Sequence, residues 1–178
     1  MNNHPVVIAL WLQVPIVFAG VAHMMFVRYQ WLAFLAQPVS LRLFGANKTW
    51  RGMLVMPMLT AIAALLMPTM QGSMGWQLSY ASWFGCGLLA GSGYIFAELP
   101  NSWMKRRMGI APGTLPQRYA RLFIMLDQLD SGLGAGIGWW IGLQCSFWVW
   151  CSYVVTFPVT ALAVKQLLFW VRWKDCAR

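Results

Sequence analysis

The chain has 178 residues, of which 60% are hydrophobic and only 10% are charged. A soluble domain carries about 25% charged residues, so this chain has too few polar side chains to cover its surface in water. We predict a single membrane domain over residues 1–178. The net charge of +9 is explained by basic residues that fix membrane topology, and nucleic acid is not expected as a partner.

Five apolar segments predict five transmembrane helices, so the expected fold class is all-α. In chain order the segments cover about residues 6–27, 52–70, 78–97, a fourth ending near 151, and 153–171. The fourth segment begins near Ile124 or Leu133. Each is close to the ~20 residues that cross about 30 Å of hydrocarbon. We expect short turns around residues 68–76 and 151–158.

All 13 basic residues fall within three stretches, residues 28–51, 105–121 and 165–178. Because basic residues concentrate in cytoplasmic loops, we predict the N-terminus outside, the C-terminus inside and two long cytoplasmic loops. Lys165 lies within the fifth segment and is expected to extend its amine toward the cytoplasmic face. The pattern therefore predicts a protein of the inner cell membrane whose charged site faces the cytoplasm.

Small side chains recur at helical spacing in the third and fourth segments. Gly87 and Gly91 are four residues apart, and the glycines within residues 132–138 repeat the same spacing. This pattern predicts close helix packing. Three of the four cysteines lie within apolar runs and are interpreted as buried small side chains rather than as disulfides or zinc ligands.

Three of the four acidic residues, Glu98, Asp127 and Asp130, fall at predicted cytoplasmic ends of membrane helices. Asp127 and Asp130 share one face of a helix, where two carboxylates repel each other unless a cation lies between them. Acidic residues near a membrane are costly and are functional candidates. Such ligands suit Mg²⁺, which usually takes one or two carboxylates plus substrate phosphates. The alternative is a set of plain ion pairs, in which Glu98 pairs with Lys105 or Arg51 and the aspartates pair with Arg118 or Arg121.

Basic and hydroxyl side chains flank these acids. Glu98, Ser102 and Lys105 share one helix face if the third helix continues past Pro100. The first loop contributes a further hydroxyl and two cations, at Lys48, Thr49 and Arg51. A carboxylate–metal centre beside such groups suits nucleotidyl transfer, because the metal neutralises charge on the transferred group and the cations clamp the rest. The interfacial position favours a lipid phosphate as one substrate.

Three motifs, taken in this order, resemble the CDP-archaeol synthase family, which is related to the CTP:phosphatidate cytidylyltransferases. They are FGANKTWRG at residues 44–52, ELPNSWMKRR followed by GIAPG within residues 98–113, and DQLDS at residues 127–131. The resemblance covers about residues 45–138 by motif and the whole chain by its five-span layout. It implies that CTP and a lipid phosphate give a CDP-activated lipid and pyrophosphate, with Mg²⁺.

The resemblance also implies roles for individual residues. Glu98, Asp127 and Asp130 would hold the metal and, with Lys105, form the catalytic set. A second set would bind CTP and its phosphates, formed by Lys48, Thr49, Arg51, Asn101, Ser102 and Arg106. The acid at position 98 is Glu where the related enzymes have Asp. The stretch between Gly113 and Asp127 is also longer than expected, which favours an interfacial helix or a different substrate.

Two other interpretations stay open. A small ion or solute transporter would use the three acids as an ion path, but such sites are expected near the midplane, and these acids lie at one end of the spans. A non-catalytic membrane homologue would keep the fold without the activity. The sequence leaves open which lipid phosphate is used and whether the chain forms an oligomer.

Overall fold

The computed structural model describes residues 4–114, 116 and 119–170, and this part of the chain is all-helical, as predicted. The α-helices in chain order are α1 (Pro5–Arg28), α2 (Trp50–Ala64), the one-turn α3 (Gln71–Met74), α4 (Tyr80–Arg107), α5 (Ala120–Leu143) and α6 (Phe147–Trp170). Two short 3-10 helices, Ala33–Leu35 and Met67–Thr69, lie in the connections. In these ranges the extended backbone pairing is limited to one bridge between Pro38 and Thr49.

Side-chain caps and prolines define several helix boundaries. The Thr49 hydroxyl accepts a hydrogen bond from the Gly52 amide and caps α2, and Ser79 caps α4 in the same way. Such caps satisfy amide groups that have no partner within the helix. α4 continues through Pro100 to Arg107, which confirms the continuation on which the shared face of its polar residues depends.

The turn predicted at residues 151–158 is wrong, because the last two long helices are joined at residues 144–146. α5 ends at Leu143, the chain turns through Gln144 in a left-handed conformation (φ 48°), and α6 begins three residues later. Pro158 lies inside α6. The turn forms at the short polar segment around Ser146. Pro158 does not interrupt α6, because a proline within an apolar helix is tolerated when neighbouring helices satisfy the freed backbone groups.

Three helical segments are long and apolar enough to cross a membrane: α1 (Pro5–Arg28), α2 with the following 3-10 helix (Trp50–Thr69) and α6 (Phe147–Trp170). α4 and α5 have 28 and 24 residues, so they match the others in length but not in hydropathy. Glycine, serine and charged residues lower the hydropathy of both. The total of five spans and the orientation stay predictions.

Each long helix packs mainly against two others, in the cyclic order α1, α2, α4, α5, α6 and back to α1. Glycines allow the closest approaches. A Cβ added at Gly93 would lie 2.1 Å from the carbonyl oxygen of Gly134, and one added at Gly91 would lie 2.6 Å from Cα of Pro57. The predicted close packing through glycines is therefore confirmed, for α4 against both α5 and α2.

The main hydrophobic core lies in the half of the bundle that is distant from the two long motif-bearing loops. Its largest fully buried side chains include Trp83, Trp139 and Tyr153. Cys86 and Cys145 are buried there as free thiols, as predicted, whereas the third predicted cysteine, Cys151, is free but only partly buried. Side chains fill this half of the bundle, and the open space lies at the other end, beside the motif loops.

Candidate active site

The two loops that carry the sequence motifs meet at one end of the bundle. Gly45 has a left-handed conformation (φ +82°) and lies against Pro112, where an added Cβ would be 2.7 Å from the proline Cγ. On the other side of this contact, the Asn47 amide nitrogen would lie 3.2 Å from a Cβ at Gly113 (φ +77°). Motifs far apart in the sequence therefore form one continuous rim.

Beneath this rim lies a cavity of about 670 Å³, here called the polar cavity. Its walls come from both motif loops, α4, α5 and α6. It contains most of the predicted site residues, namely Lys48, Glu98, Asn101, Ser102, Lys105, Arg106, Asp127 and Asp130. The structure thus brings together residues that the motifs place in three separate parts of the chain.

Two ion pairs lie in the wall of the polar cavity. Lys48 pairs with Glu98, and Lys105 pairs with Asp127. Both pairs are partly buried, and neither is a predicted pair, because Lys48 reaches Glu98 from the first loop and Lys105 pairs with Asp127. An ammonium group has three donors, so each lysine has further N–H groups besides the one that meets a carboxylate.

The three acids belong to one hydrogen-bonded network. Asn101 Nδ2 lies 2.6 Å from Asp127 Oδ1 and 2.6 Å from Asp130 Oδ2, so the amide bridges the two aspartates. Ser131 Oγ lies 2.9 Å from Glu98 Oε1 and 3.1 Å from Asp130 Oδ1. The predicted common face of Asp127 and Asp130 is confirmed. Asn101 was predicted to bind CTP and Ser131 was not predicted as a site residue, so neither was expected to join the acids.

In the part of the chain that the structure describes, no group of three or more His, Cys, Asp or Glu side chains is arranged to hold a metal ion. Asp127 and Asp130 converge on Asn101, while Glu98 meets Lys48. A carboxylate pair nevertheless fits Mg²⁺, which commonly binds one or two carboxylates and takes its other ligands from water and phosphates. Asn101 Oδ1 is buried and has no hydrogen-bond partner, which leaves a third hard oxygen beside the pair.

Arg51 and Thr49, both in the first-loop motif, have structural contacts. Arg51 is only 8% exposed, and its Nη1 donates to the carbonyl oxygens of Phe26 and Trp31, at 3.4 and 3.2 Å. These bonds tie the start of α2 to the end of α1 and to the loop that follows α1. Thr49 caps α2 and also lines the second cavity described below. Arg51 lines neither cavity, and the motif alone does not reveal this structural use.

A second cavity of about 270 Å³, here called the apolar cavity, adjoins the first. It extends between α1, α2, α4 and α6 and is lined largely by aliphatic and Met side chains, including Ile16, Val17, Val21, Met24, Met53, Met56, Val164 and Leu168. A Cβ at Gly20 would meet nothing within 4 Å, so the missing side chain leaves space there. This cavity was not predictable from the sequence, because apolar residues at helical spacing look the same whether they face lipid, core or a ligand.

The two cavities share one wall, formed by Asn47, Lys48, Tyr94, Glu98, Gln128 and Lys165. A ligand with a charged group at this wall would have a strongly polar space on one side and an apolar space on the other. Tyr94 and Gln128 were not identified from the sequence. Gln128 lies within the DQLDS motif at residues 127–131, and the only sequence signal of Tyr94 is that it is a polar residue in a mostly apolar helix.

A scan against protein families matches residues 5–167 to the family described as CarS-like, CDP-archaeol synthase. Comparisons with curated proteins and with solved structures gave no significant match. The matched range covers nearly the whole chain and includes every residue that lines the polar cavity. The resemblance predicted from the three motifs is thereby confirmed, and the chain belongs to the CarS-like CDP-archaeol synthase family.

Proposed function

We propose that this protein is a membrane-embedded cytidylyltransferase that makes a CDP-activated lipid and pyrophosphate from CTP and a lipid phosphate. Family membership supports the reaction class. The observation that carries the proposal is the shared wall, where a polar cavity and an apolar cavity meet at Lys48 and Glu98. An enzyme that joins a water-soluble nucleotide to a lipid phosphate needs this combination of adjoining spaces.

In the proposal, the polar cavity binds CTP. Its volume of about 670 Å³ is within the range of small-molecule sites, about 300–1,000 Å³. Arg106 has two buried guanidinium nitrogens, Nε and Nη1, without hydrogen-bond partners. Because buried donors are costly when unpaired, phosphate oxygens of the nucleotide are suitable partners. Lys48 and Lys105 would contribute further positive charge at the same phosphates.

Mg²⁺ is part of the proposal, with Asp127 and Asp130 as its principal ligands. When bound, the ion would neutralise charge on the triphosphate and on the departing pyrophosphate. Glu98 is also proposed to act at this centre, next to Asp130 through Ser131. Lys105, paired with Asp127, would keep a positive charge directly beside the phosphates.

The lipid phosphate would enter from the apolar cavity, with its hydrocarbon between α1 and α6 and its phosphate at the shared wall. One of its phosphate oxygens would attack the α-phosphorus of CTP. A new oxygen–phosphorus bond forms as the bond from the α-phosphorus to the bridging oxygen breaks, and pyrophosphate leaves. The attacking group is already an anion, so this step needs no nucleophile from the protein.

The mouth of the polar cavity is proposed to face the cytoplasm, in the inner membrane. The basic residues of the described ranges concentrate at the cavity end of the bundle, in agreement with the tendency of such residues to remain cytoplasmic. Four further basic residues of this prediction, Arg118, Arg172, Lys174 and Arg178, lie outside the described residues. The alternative of a transporter gains no support, because the opposite half of the bundle is filled by the core.

The proposal is tested with the purified full chain, labelled CTP, Mg²⁺ and a panel of ester- and ether-linked lipid phosphates. We expect a labelled CDP-lipid and one pyrophosphate per turnover, both lost in Asp127→Asn and Asp130→Asn. Trp140→Phe serves as the matched control, because this exposed residue lies on the same helix and away from the cavities. A chain that forms no CDP-lipid with any member of the panel, but conducts ions in liposomes, would overturn the proposal.

A further inference from the structure

We infer that Asn101 is a switchable metal ligand, whose amide nitrogen fills the cation position between Asp127 and Asp130 and whose oxygen binds the cation when it enters. The inference rests on the proposed function, because that proposal supplies the divalent cation. It goes beyond it by moving Asn101 from the CTP-binding set, where the motif places it, to the metal centre.

The first support is the position of the amide nitrogen. It lies 2.6 Å from one oxygen of each aspartate, Asp127 Oδ1 and Asp130 Oδ2. An amide NH₂ group has two hydrogens, so it donates one to each carboxylate. Lys105 pairs with the same Asp127 oxygen, but the amide bridges the two carboxylates, and a divalent cation between them would perform this task.

The second support is the state of the amide oxygen. Asn101 Oδ1 is buried and has no hydrogen-bond partner among the described residues. With the amide rotated by 180°, this oxygen would face the two carboxylates, and three oxygens would repel one another in the absence of a cation. With a divalent cation present, the same three oxygens form part of the hard ligand set that Mg²⁺ prefers. The favoured amide orientation therefore depends on the cation.

The third support is the rigidity of the frame that carries these groups. Asn101 is on α4 and both aspartates are on α5. The two helices are in backbone contact at Gly93 and Gly134, about one turn from Asp130 on the α5 side. Rotation of one side-chain amide is therefore enough to exchange a donor for a ligand, and no helix has to move.

The test measures binding of Mn²⁺, as a spectroscopic substitute for Mg²⁺, by electron paramagnetic resonance of the purified full chain, with and without CTP. For Asn101→Ala we expect Mn²⁺ affinity to fall by on the order of tenfold or more. Asn101→Asp, which keeps the size and the oxygen, should bind at least as tightly as the wild type. Gln77→Ala removes an exposed amide side chain that lines neither cavity and should bind as the wild type does.

Unchanged or tighter Mn²⁺ binding by Asn101→Ala would overturn the inference, because the amide would then only compete with the cation. Absence of Mn²⁺ binding by the wild type, with and without CTP, would overturn it too. Helical content of each variant is checked by circular dichroism, and Asn101→Asp provides the comparison if the alanine variant does not fold. CDP-lipid formation is measured on the same samples, so the two failures can be told apart. Expected Mn²⁺ binding without CDP-lipid formation would contradict only the proposed function, and CDP-lipid formation with unchanged Mn²⁺ binding by Asn101→Ala would contradict only the inference about Asn101.

Discussion

The contact between α4 and α5 gives the sharpest prediction about how the fold holds the site. Gly134 is four residues after Asp130 on α5, and a Cβ at this position would lie 2.0 Å from the carbonyl oxygen of Gly93. Real Cβ contacts are essentially never shorter than 3.0 Å, so in Gly134→Ala the two backbones must separate by about 1 Å. Overpacking of this kind costs about 1–3 kcal/mol of folding free energy.

The same displacement acts on the chemistry, because α4 carries Asn101 and Lys105 and α5 carries the aspartates that they contact. A misplacement of about 1 Å can lower a rate by roughly 100-fold. We therefore expect Gly134→Ala to remain in the membrane fraction, to unfold at lower temperature and to form CDP-lipid about 100 times more slowly than the wild type.

Gly85→Ala is the matched control, since it is also on a long helix and an added Cβ there meets nothing within 4 Å. Replacing a helical glycine without a clash should stabilise the helix by about 0.5–1 kcal/mol. Product formation from CTP and a lipid phosphate, measured beside thermal unfolding, separates the two variants. Wild-type rate and stability in Gly134→Ala would refute the reasoning, because the glycine contact would then not position the aspartates.

Three further predictions concern single side chains. Gly20→Leu should fill the apolar cavity and raise the KM for the lipid phosphate while the KM for CTP stays constant; an unchanged lipid dependence would contradict the placement of the hydrocarbon. Arg106→Ala should raise the KM for CTP by roughly 10–100-fold, since a hydrogen bond to a charged group contributes about 1.5–3 kcal/mol. A change confined to the KM for the lipid phosphate would contradict the binding of CTP by Arg106. Arg51→Ala should lower the free energy of unfolding by roughly 1–3 kcal/mol, because the carbonyl groups of Phe26 and Trp31 lose their buried donor. A variant with normal stability and poor CTP affinity would instead favour the CTP-binding role that the motif implies.

The fold was predictable where a single local property decides the structure. Long apolar segments predict helices, and the shared face of Asp127 and Asp130 follows from their three-residue spacing on any helix. The boundary between α5 and α6 was not predictable in this way. A proline in an apolar run, here Pro158, stops a helix in water but is tolerated where adjacent helices satisfy the backbone, and this depends on the neighbours.

The candidate site was predictable as a list of residues but not as a set of contacts. The motifs contain most of the polar-cavity side chains, because charged residues are rare in this chain and stand out. They do not predict that Glu98 pairs with Lys48, or that Arg51 turns back toward the backbone of α1. Such contacts join residues that are distant in sequence, and several cations were available to each acid.

Hydropathy separates the helices that enclose the site from those that carry its chemistry. α1, α2 and α6 are apolar enough to cross a membrane by composition and supply much of the lining of the apolar cavity. α4 and α5 carry all three acids of the described residues, and they also carry the glycines that bring the two helices into backbone contact. Charged residues and glycines both lower hydropathy. The residues that make α4 and α5 less apolar than the other long helices are therefore the same residues that build and position the site.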